Sequence, residues 1–193
     1  MSLAPWRSPL SRALDRNIRL AHARYLQLAT VRADGRPANR TLVFRGFLED
    51  TNQLKFAIDA RSQKIDQIEQ KPWAESCWYF PETREQFRIT GSLTLVGSDH
   101  PDSALQQARV ATWQELSNAA RLQFAWPHPS KPRADAAAFE PPPPDVVQPL
   151  PNFCLLLLEP MQVDHLELRG EPQNRWLYNR DSDPAWSTQA INP

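Results

Sequence analysis

The chain has 193 residues, 22 Lys and Arg against 22 Asp and Glu, 19 prolines and only five glycines. Glycine is well below its usual share of about 7%, and proline is about twice as frequent as usual. The glycine spacing matches neither G-x-G-x-x-G nor G-x-x-x-x-G-K-[ST], which excludes the glycine-rich loops that cradle phosphates. Arginine, lysine and hydroxyl side chains would have to hold any phosphorylated ligand.

Balanced charge argues against a nucleic-acid or anionic-membrane partner, because both require clustered cations. Cys77 and Cys154 are isolated, which is typical of small buried residues in a reducing compartment. The four histidines fit no zinc or iron spacing, and no G-x-S-x-G is present, so we expect neither a metal site nor a serine nucleophile. The longest apolar run, 153–158, is too short to span a bilayer, and no signal peptide is recognisable, which predicts a soluble cytoplasmic protein.

The first elements are a helix and a hairpin. Ser8 and Pro9 predict a helix start, with the serine as cap and the proline in the first turn. The side chains expected on its buried face are Leu10, Leu14, Ile18, Ala21 and Tyr25. Residues 26–32 and 40–48 are rich in strand formers, and Asp34-Gly35 between them indicates a hairpin.

Further strands follow through short turns. We predict a strand at 53–58, a short helix at 62–70 that ends before Pro72, and strands at 74–80 and 86–96. Such a meander tends to close into a barrel, because closure removes the exposed strand edges. The fold class is therefore mainly β, a barrel of antiparallel strands with flanking helices.

The second half begins with helices and returns to strands. A helix is predicted from Pro101 to about Leu116, with a second helical stretch toward Trp126. Residues 127–151 hold nine of the 19 prolines and are predicted to be a loop. Such a loop is most often a solvated connector, and the alternatives are a semi-rigid polyproline arm and a mobile lid. We call this segment the proline-rich arm. Strands are expected at 152–159, 161–168, 175–180 and 185–191, which makes the arm an insertion and not a domain boundary.

Three cationic clusters lie at strand edges. The first is 40–45, where Arg40 and Arg45 point to opposite faces of a strand. The second is 59–64, at a strand-to-helix junction with Arg61, Ser62 and Lys64. The third is 84–88, where Gln86 and Arg88 share a face. Each cluster alone is compatible with an ordinary solvated surface, but their co-occurrence indicates an anion-binding site.

The three cationic clusters are parts of longer sequence motifs that follow one another along the chain. The motifs are R-T-L-V-F-R at 40–45, F-A-I-D-A-R-S-Q-K at 56–64, W-Y-F-P-E-T-R-E-Q-F-R-I-T-G at 78–91, and R-W-L-Y-N-R-D at 175–181 with a closing W-x(4)-I-N-P. In this order they resemble the pyridoxamine 5′-phosphate oxidase-related FMN-binding family, in particular its cyanobacterial-type branch. The resemblance covers 25–98 and 152–193. It implies one FMN-binding split-barrel domain over 1–193, a homodimer, and FMN in clefts at the dimer interface.

The resemblance also carries residue roles. Arg40, Thr41, Leu42 and Val43 match the strand that runs along the flavin, with Arg40 as a phosphate-binding arginine. Ser62 and Lys64 match the next phosphate contacts. Gln86 matches a glutamine that reaches the flavin from the other subunit, and Arg175 matches an arginine at the flavin ring. Arg61 and Arg88 are added as charged neighbours. Arg45, where the oxidase has a lysine, is the residue expected nearest the substrate.

Departures from the oxidase pattern concern the substrate. Glu171 and Gln173 stand where the oxidase has arginine and histidine, and Leu166 stands where it has a tryptophan. A carboxylate facing a substrate phosphate would repel it. The resemblance implies FMN-dependent oxidation of an amine or alcohol, with oxygen as acceptor. The alternatives are an NAD(P)H-dependent flavin or quinone reductase on the same fold, which Glu171 and Gln173 favour, and a non-catalytic FMN-binding sensor.

Overall fold

The structure is a computed structural model that describes residues 3–182 and 185–193. Its helices are α1 (Arg7–Asn17), α2 (Lys64–Gln70), α3 (Ser103–Gln114) and α4 (Asn118–Leu122). Its strands are β1 (Tyr25–Val31), β2 (Pro37–Phe47), β3 (Leu54–Asp59), β4 (Trp73–Phe80), β5 (Glu85–Val96), β6 (Phe153–Glu167), β7 (Asn174–Ser182) and β8 (Ala185–Ile191). Short 3-10 helices lie at Gln123–Ala125 and Ala136–Phe139. None of the described helices is long and apolar enough to cross a membrane.

Six antiparallel strands close into a barrel. Their order is β3-β2-β1-β4-β5-β6, and β3 pairs with β6 to complete the circle. β7 and β8 extend the sheet from β6. The prediction of a mainly β barrel of antiparallel strands with flanking helices is confirmed. The hairpin between β1 and β2 is also as predicted, with Gly35 at a positive φ of 85° in its turn.

β6 is one strand that pairs with β5 along most of its length and changes its partner on the other edge, so the prediction of separate strands at 152–159 and 161–168 was wrong. Its first part pairs with β3 up to Leu158, and its second part pairs with β7 from Gln162 onward. Pro160 lies between the two pairings, opposite Gly91, at a bulge where β6 has one extra residue, Met161. Proline has no N–H to donate to a ladder, and here it occupies the point where the partner strand changes.

Alternation along the strands fills the barrel with apolar side chains. The largest fully buried ones in and around it are Trp6, Trp78, Phe56, Phe80, Phe87, Leu26, Leu28 and Leu54. Most polar residues of the same strands therefore face outward. Thr30, Ser76 and His165 are buried polar exceptions, and Arg40 shares the inner face of β2 with Leu42 and Phe44. Cys77 and Cys154 are free thiols, and only Cys154 is buried as predicted for both.

The predicted first helix needs two corrections. α1 begins at Arg7 after Trp6, and Ser8 lies inside it, where its hydroxyl accepts a hydrogen bond from Arg12 instead of capping the helix. The helix ends at Asn17, whose side chain donates to the Ala13 carbonyl and accepts from the backbone N–H of Glu82. Asn17 thus binds the turn between β4 and β5, and the chain leaves the helix direction after this residue. The predicted face beyond Asn17 does not form, and both Ile18 and Tyr25 are exposed.

The proline-rich arm packs on the barrel and is held at both ends. Near its start, Arg61 donates to the carbonyls of Phe124 and Trp126 at 3.3 and 3.1 Å. Near its end, Trp113 Nε1 donates to the Asp145 carbonyl at 3.0 Å, and the Arg109 guanidinium donates to the Leu150 carbonyl at 3.0 Å. Apart from the 3-10 turn at Ala136–Phe139, the arm is irregular as predicted.

Candidate functional site

Arg40 is fixed at one end of the barrel. Its Nη1 donates to the carbonyls of Leu28 and Ala38, both at 3.0 Å, and to Thr30 Oγ1 at 2.7 Å. Its Nη2 donates to Gln67 Oε1 on α2 at 3.0 Å. All four acceptors are uncharged, and no ion pair in 3–182 or 185–193 includes Arg40. Burial, with a smaller effect of Arg32, lowers the pKa of this guanidinium, as expected for a cation without a counter-charge.

Lys64 is a second cation beside Arg40. Its Nζ donates to Ser62 Oγ at 2.7 Å, and that hydroxyl donates to the Asp59 carbonyl at 2.7 Å. Burial and then the charge of Arg40 lower the pKa of Lys64, and Asp59 opposes this only in part. Two half-buried cations that repel each other would be stabilised by an anion bound between them. The structure thus brings together Arg40, Ser62 and Lys64, three of the residues that we predicted to contact a phosphate.

Arg61 has a different role from its neighbours. It forms a bidentate ion pair with Asp59, with Nη2 at 2.6 Å and Nε at 3.0 Å from the carboxylate oxygens. Burial alone would raise the pKa of Asp59, but the hydrogen bonds and charge of Arg61 outweigh it and lower the pKa. Because Asp59 neutralises Arg61, this residue adds little net positive charge to the site. Its main role is to hold the proline-rich arm in place.

A cavity of about 470 Å³ opens beside Lys64. From the barrel it is lined by Leu42, Ala57, Ile58, Asp59, Arg61 and Lys64, and its other walls come from 123–134 and Phe139. Leu42 is the member of 41–43 that lines it, while Thr41 is exposed and Val43 is half-buried on the other face of β2. A volume of this size with a few convergent polar groups suits a cofactor or small ligand.

Gln86, Leu166 and Arg175 form one row across the outer face of β5, β6 and β7. Beside this row runs a chain of ion pairs. Arg88 donates to Glu75 at 2.9 and 3.2 Å, and Arg175 donates to Asp164 at 2.9 and 2.7 Å.

These ion pairs balance the outer charges. The hydrogen bond to Glu75 raises the pKa of Arg88, and the bond to Asp164 raises that of Arg175. Gln86 Oε1 accepts only a weak bond from Cys77 Sγ at 3.8 Å. Phe87 and Ile89 face the core, so Arg88 lies on the opposite face of the barrel wall from Arg40. Arg88 therefore does not join Arg40 and Lys64 within one chain.

Arg45 lies on the outer face of β2, away from Arg40. Its Nε is buried and has no hydrogen-bond partner among the described residues. Burial lowers the pKa of Arg45, Tyr25 raises it and the nearby Arg24 lowers it further. Glu171 and Gln173 line a separate cavity of about 630 Å³ with Arg84 and Arg169, and Arg45 is not among the residues that line it.

One group of residues was missed by the sequence analysis. Glu85, His165 and Glu167 bring three potential metal ligands within 4.8 Å of one another. His165 is buried, stacks on Phe87 at 4.0 Å, and its Nε2 lies 2.9 Å from Glu85 Oε2. Burial alone would raise the pKa of Glu85, but the bonds from His165 and Thr83 leave it lowered. The burial of His165 and its contacts with Phe87 and Glu85 fit the packing role that was one of the two roles expected for the histidines.

Comparison with known proteins identifies the family. The model of the pyridoxamine 5′-phosphate oxidase FMN-binding domain matches residues 3–97. Pyridoxine/pyridoxamine 5′-phosphate oxidase 2 of Arabidopsis thaliana is 37% identical over 194 residues, which cover 99% of this chain and 98% of that protein. The chain belongs to the pyridoxamine 5′-phosphate oxidase family. This family includes oxidases and related enzymes, and the resemblance stated from the motifs is confirmed.

Solved structures agree with the family and the fold. A pyridoxamine 5′-phosphate oxidase-related, FMN-binding protein from Nostoc punctiforme is 69% identical, covers 100% of both chains and superposes with a TM-score of 0.97. PhzG from Burkholderia lata, solved with tetrahydrophenazine-1-carboxylic acid, is 22% identical over 96% of this chain and 91% of that chain, with a TM-score of 0.77. The second likeness shows the fold alone. The FMN-binding split-barrel fold of the family is thus the fold of this chain.

Proposed function

We propose that this chain binds FMN and uses it as an oxidoreductase. The observation that carries the proposal is the pair of half-buried cations, Arg40 and Lys64, neither of which forms an ion pair with a carboxylate in the described structure. Lys64 also lines a cavity of about 470 Å³. FMN phosphate carries close to two negative charges at neutral pH and suits such a pair. Bound FMN would supply the electron-accepting chemistry, and the chain would bind and orient it.

Each predicted site residue would contact a different part of FMN, according to its position on the barrel. Arg40, Ser62 and Lys64 would hold the phosphate, and Leu42 would pack against the cofactor from the barrel wall. Gln86 and Arg175 would contact the flavin from the outer row, and Arg88 would keep that row in place through its ion pairs. Thr41 and Val43 lie on β2 with Arg40 and Leu42, but on the outer face of that strand, and would contact FMN from that face.

Arg45 is the residue that we assign to the substrate. Its unpartnered Nε and lowered pKa indicate a cation that gains from an anionic group of the substrate. We therefore favour an FMN-dependent oxidase of a small anionic amine or alcohol, in a soluble cytoplasmic protein that forms one domain with an inserted arm. A reductase that uses NAD(P)H is the second candidate, because Glu171 and Gln173 place no cation where the oxidase pattern has two.

Reductant specificity tests the proposed function. The visible spectrum of the protein with FMN is recorded under anaerobic conditions with pyridoxamine phosphate, and separately with NAD(P)H. Bleaching by pyridoxamine phosphate supports the oxidase, and bleaching by NAD(P)H alone supports the reductase. If neither reagent reduces bound FMN, the chain is a binding protein. If FMN neither binds nor raises the melting temperature, FMN binding itself is refuted.

The proposed FMN site requires a homodimer. Arg40 lies on the inner face of β2 and Lys64 lies near it at the start of α2, while Gln86 and Arg175 lie on the outer face of β5 and β7. One flavin would therefore contact both sets if they came from different copies. Trp73 and Tyr79 on the outer face of β4 are 55% and 45% exposed, and such aromatic surface is typical of interfaces.

Mixing two defective variants tests the shared site. K64M and Q86A/R175A homodimers are each expected to bind FMN weakly. After subunit exchange, a mixed dimer has one site with both defects and one with neither, so about one quarter of all sites should bind tightly at a 1:1 ratio. Fluorescence titration of the mixture measures this fraction. If the mixture binds no better than its components, the site does not combine the two groups across subunits.

FMN affinity is expected to fall at alkaline pH. The pKa of Lys64 in the free protein lies below its usual 10.5, and a bound phosphate would raise it again, so binding takes up a proton. Affinity then falls by up to about tenfold per pH unit above that pKa. FMN dissociation constants between pH 7 and 10 measure the effect. The K64R variant, which stays protonated, should lose most of it, and an identical profile in K64R would contradict the assignment.

A further inference from the structure

The proline-rich arm forms the outer wall of the cavity beside Lys64. Residues 127–134 and Phe139 of the arm face Leu42, Ile58 and Lys64 of the barrel across a space of about 470 Å³. The segment 128–131 also lines a second cavity of about 310 Å³ together with Ser62 and Gln63. The arm therefore borders the Ser62–Lys64 loop on two sides.

The arm wall carries positive charge. Lys131 and Arg133 line the main cavity, both are exposed, and neither takes part in an ion pair within the described ranges. Asp59 is the carboxylate among the residues that line this cavity, and Arg61 already neutralises it. Lys64, Lys131 and Arg133 thus give the cavity a net positive charge from two opposite walls, which attracts an anion.

Aromatic contacts hold this wall in shape. The Arg133 guanidinium carbon lies 4.9 Å from the centre of the Phe139 ring, and that ring packs edge-on against Trp126 at 5.8 Å. Trp126 Nε1 is buried without an acceptor among the described residues, and an anionic oxygen would provide one. Ser130, next to Lys131, has a positive φ of 63°, a backbone strain of the kind that ligand-binding segments retain.

We propose that the proline-rich arm is a cofactor-binding element, in which Lys131 and Arg133 bind the phosphate of FMN from the side opposite Lys64. This inference rests on the FMN binding proposed above. It assigns the arm a task that a solvated connector would not have, and it explains why so long an irregular segment is anchored at both ends by Arg61, Trp113 and Arg109.

The test compares K131A/R133A with a control of equal charge change, R36A/K71A. Arg36 and Lys71 are exposed and do not line the cavity. We expect the arm variant to bind FMN about tenfold more weakly, to release it faster and to show a weaker salt dependence, while the control binds like the wild type. Fluorescence titration and stopped-flow release measure both quantities, and thermal melts of the free proteins verify folding.

Riboflavin, which lacks the phosphate, separates the outcomes. The arm variant should bind riboflavin as the wild type does, because only the phosphate contact is lost. Wild-type affinity for FMN in the arm variant would overturn the inference and leave the proposed function intact. An equal loss for riboflavin would also overturn it, since the effect would not concern the phosphate. A wild type that binds no FMN would refute the proposed function itself and the inference with it.

Discussion

Replacing Lys64 by methionine is expected to weaken FMN binding about 100-fold without destabilising the free protein, since a charge-assisted hydrogen bond contributes about 1.5–3 kcal/mol. Lys64 is half-buried beside Arg40, and burial lowers its pKa. Methionine keeps the apolar length of the side chain but removes the repulsion between the two cations. The free energy of unfolding should therefore stay the same or rise, while affinity falls. Denaturant unfolding and fluorescence titration measure the two quantities.

A loss of FMN affinity without a loss of stability distinguishes a ligand-binding lysine from a structural one. The matched control is K71M, which removes an exposed lysine just after the same helix and should change neither quantity. K64R keeps the charge and should retain most of the affinity. If K64M lost stability and affinity together, Lys64 would act mainly on the fold, and the phosphate assignment would be wrong.

Local patterns accounted for most of the barrel. Alternating burial along β2, β3 and β4 and the Asp34-Gly35 turn follow from short-range rules, so the strands and their antiparallel order were predictable. The pairing of β3 with β6, which closes the barrel, joins distant parts of the chain and has no local signal. The continuity of β6 through Pro160 was missed for a different reason, because a proline in a strand pattern predicts a break.

Spacing predicted which cations to consider but not which are already neutralised. Arg40 and Arg88 look alike in the sequence, since each lies on a strand near hydroxyl or amide side chains. The structure gives Arg88 the carboxylates of Glu75 and Asp164, while it gives Arg40 only uncharged acceptors. Asp164 reaches Arg88 through the pairing of β5 with β6, which is a tertiary contact. The distinction between a charged site and a balanced surface therefore required the fold.

The irregular structure of the proline-rich arm was predictable from the sequence, but its position was not. Its prolines exclude helix and strand, so an irregular segment was predictable from composition. Its position over the cavity was not, because it depends on Arg61 and Trp113 reaching carbonyls of distant residues. Lys131 and Arg133 are exposed cations in a loop, a pattern that by itself indicates only a solvated surface. Their place opposite Lys64 gives them a testable role.

Replacing Gly91 by alanine is expected to give the largest loss of stability, about 3 kcal/mol or more, at the upper end for overpacking. A Cβ at Gly91 would lie 2.0 Å from the Glu159 carbonyl oxygen and 3.1 Å from Pro160 Cα. Both atoms belong to the backbone of β6, so no flexible side chain can move aside. For a domain of this size the melting temperature should fall by about 10 °C. Thermal and denaturant unfolding of the free protein measure the change.

Gly91→Ala should also displace residues of the outer row formed by Gln86, Leu166 and Arg175. Gly91 lies at the bulge where β6 changes its partner from β3 to β7, so a displaced β6 moves Asp164 and Leu166 relative to β5. Gly97→Ala is the control, because its Cβ would lie 3.2 Å from the side-chain oxygen of Asp99, which can rotate away. We expect the control to change stability by less than about 1 kcal/mol. If Gly91→Ala were as stable as Gly97→Ala, the backbone of β6 would be able to move at Pro160. The close contact at the bulge would then not fix the position of β6 in the barrel.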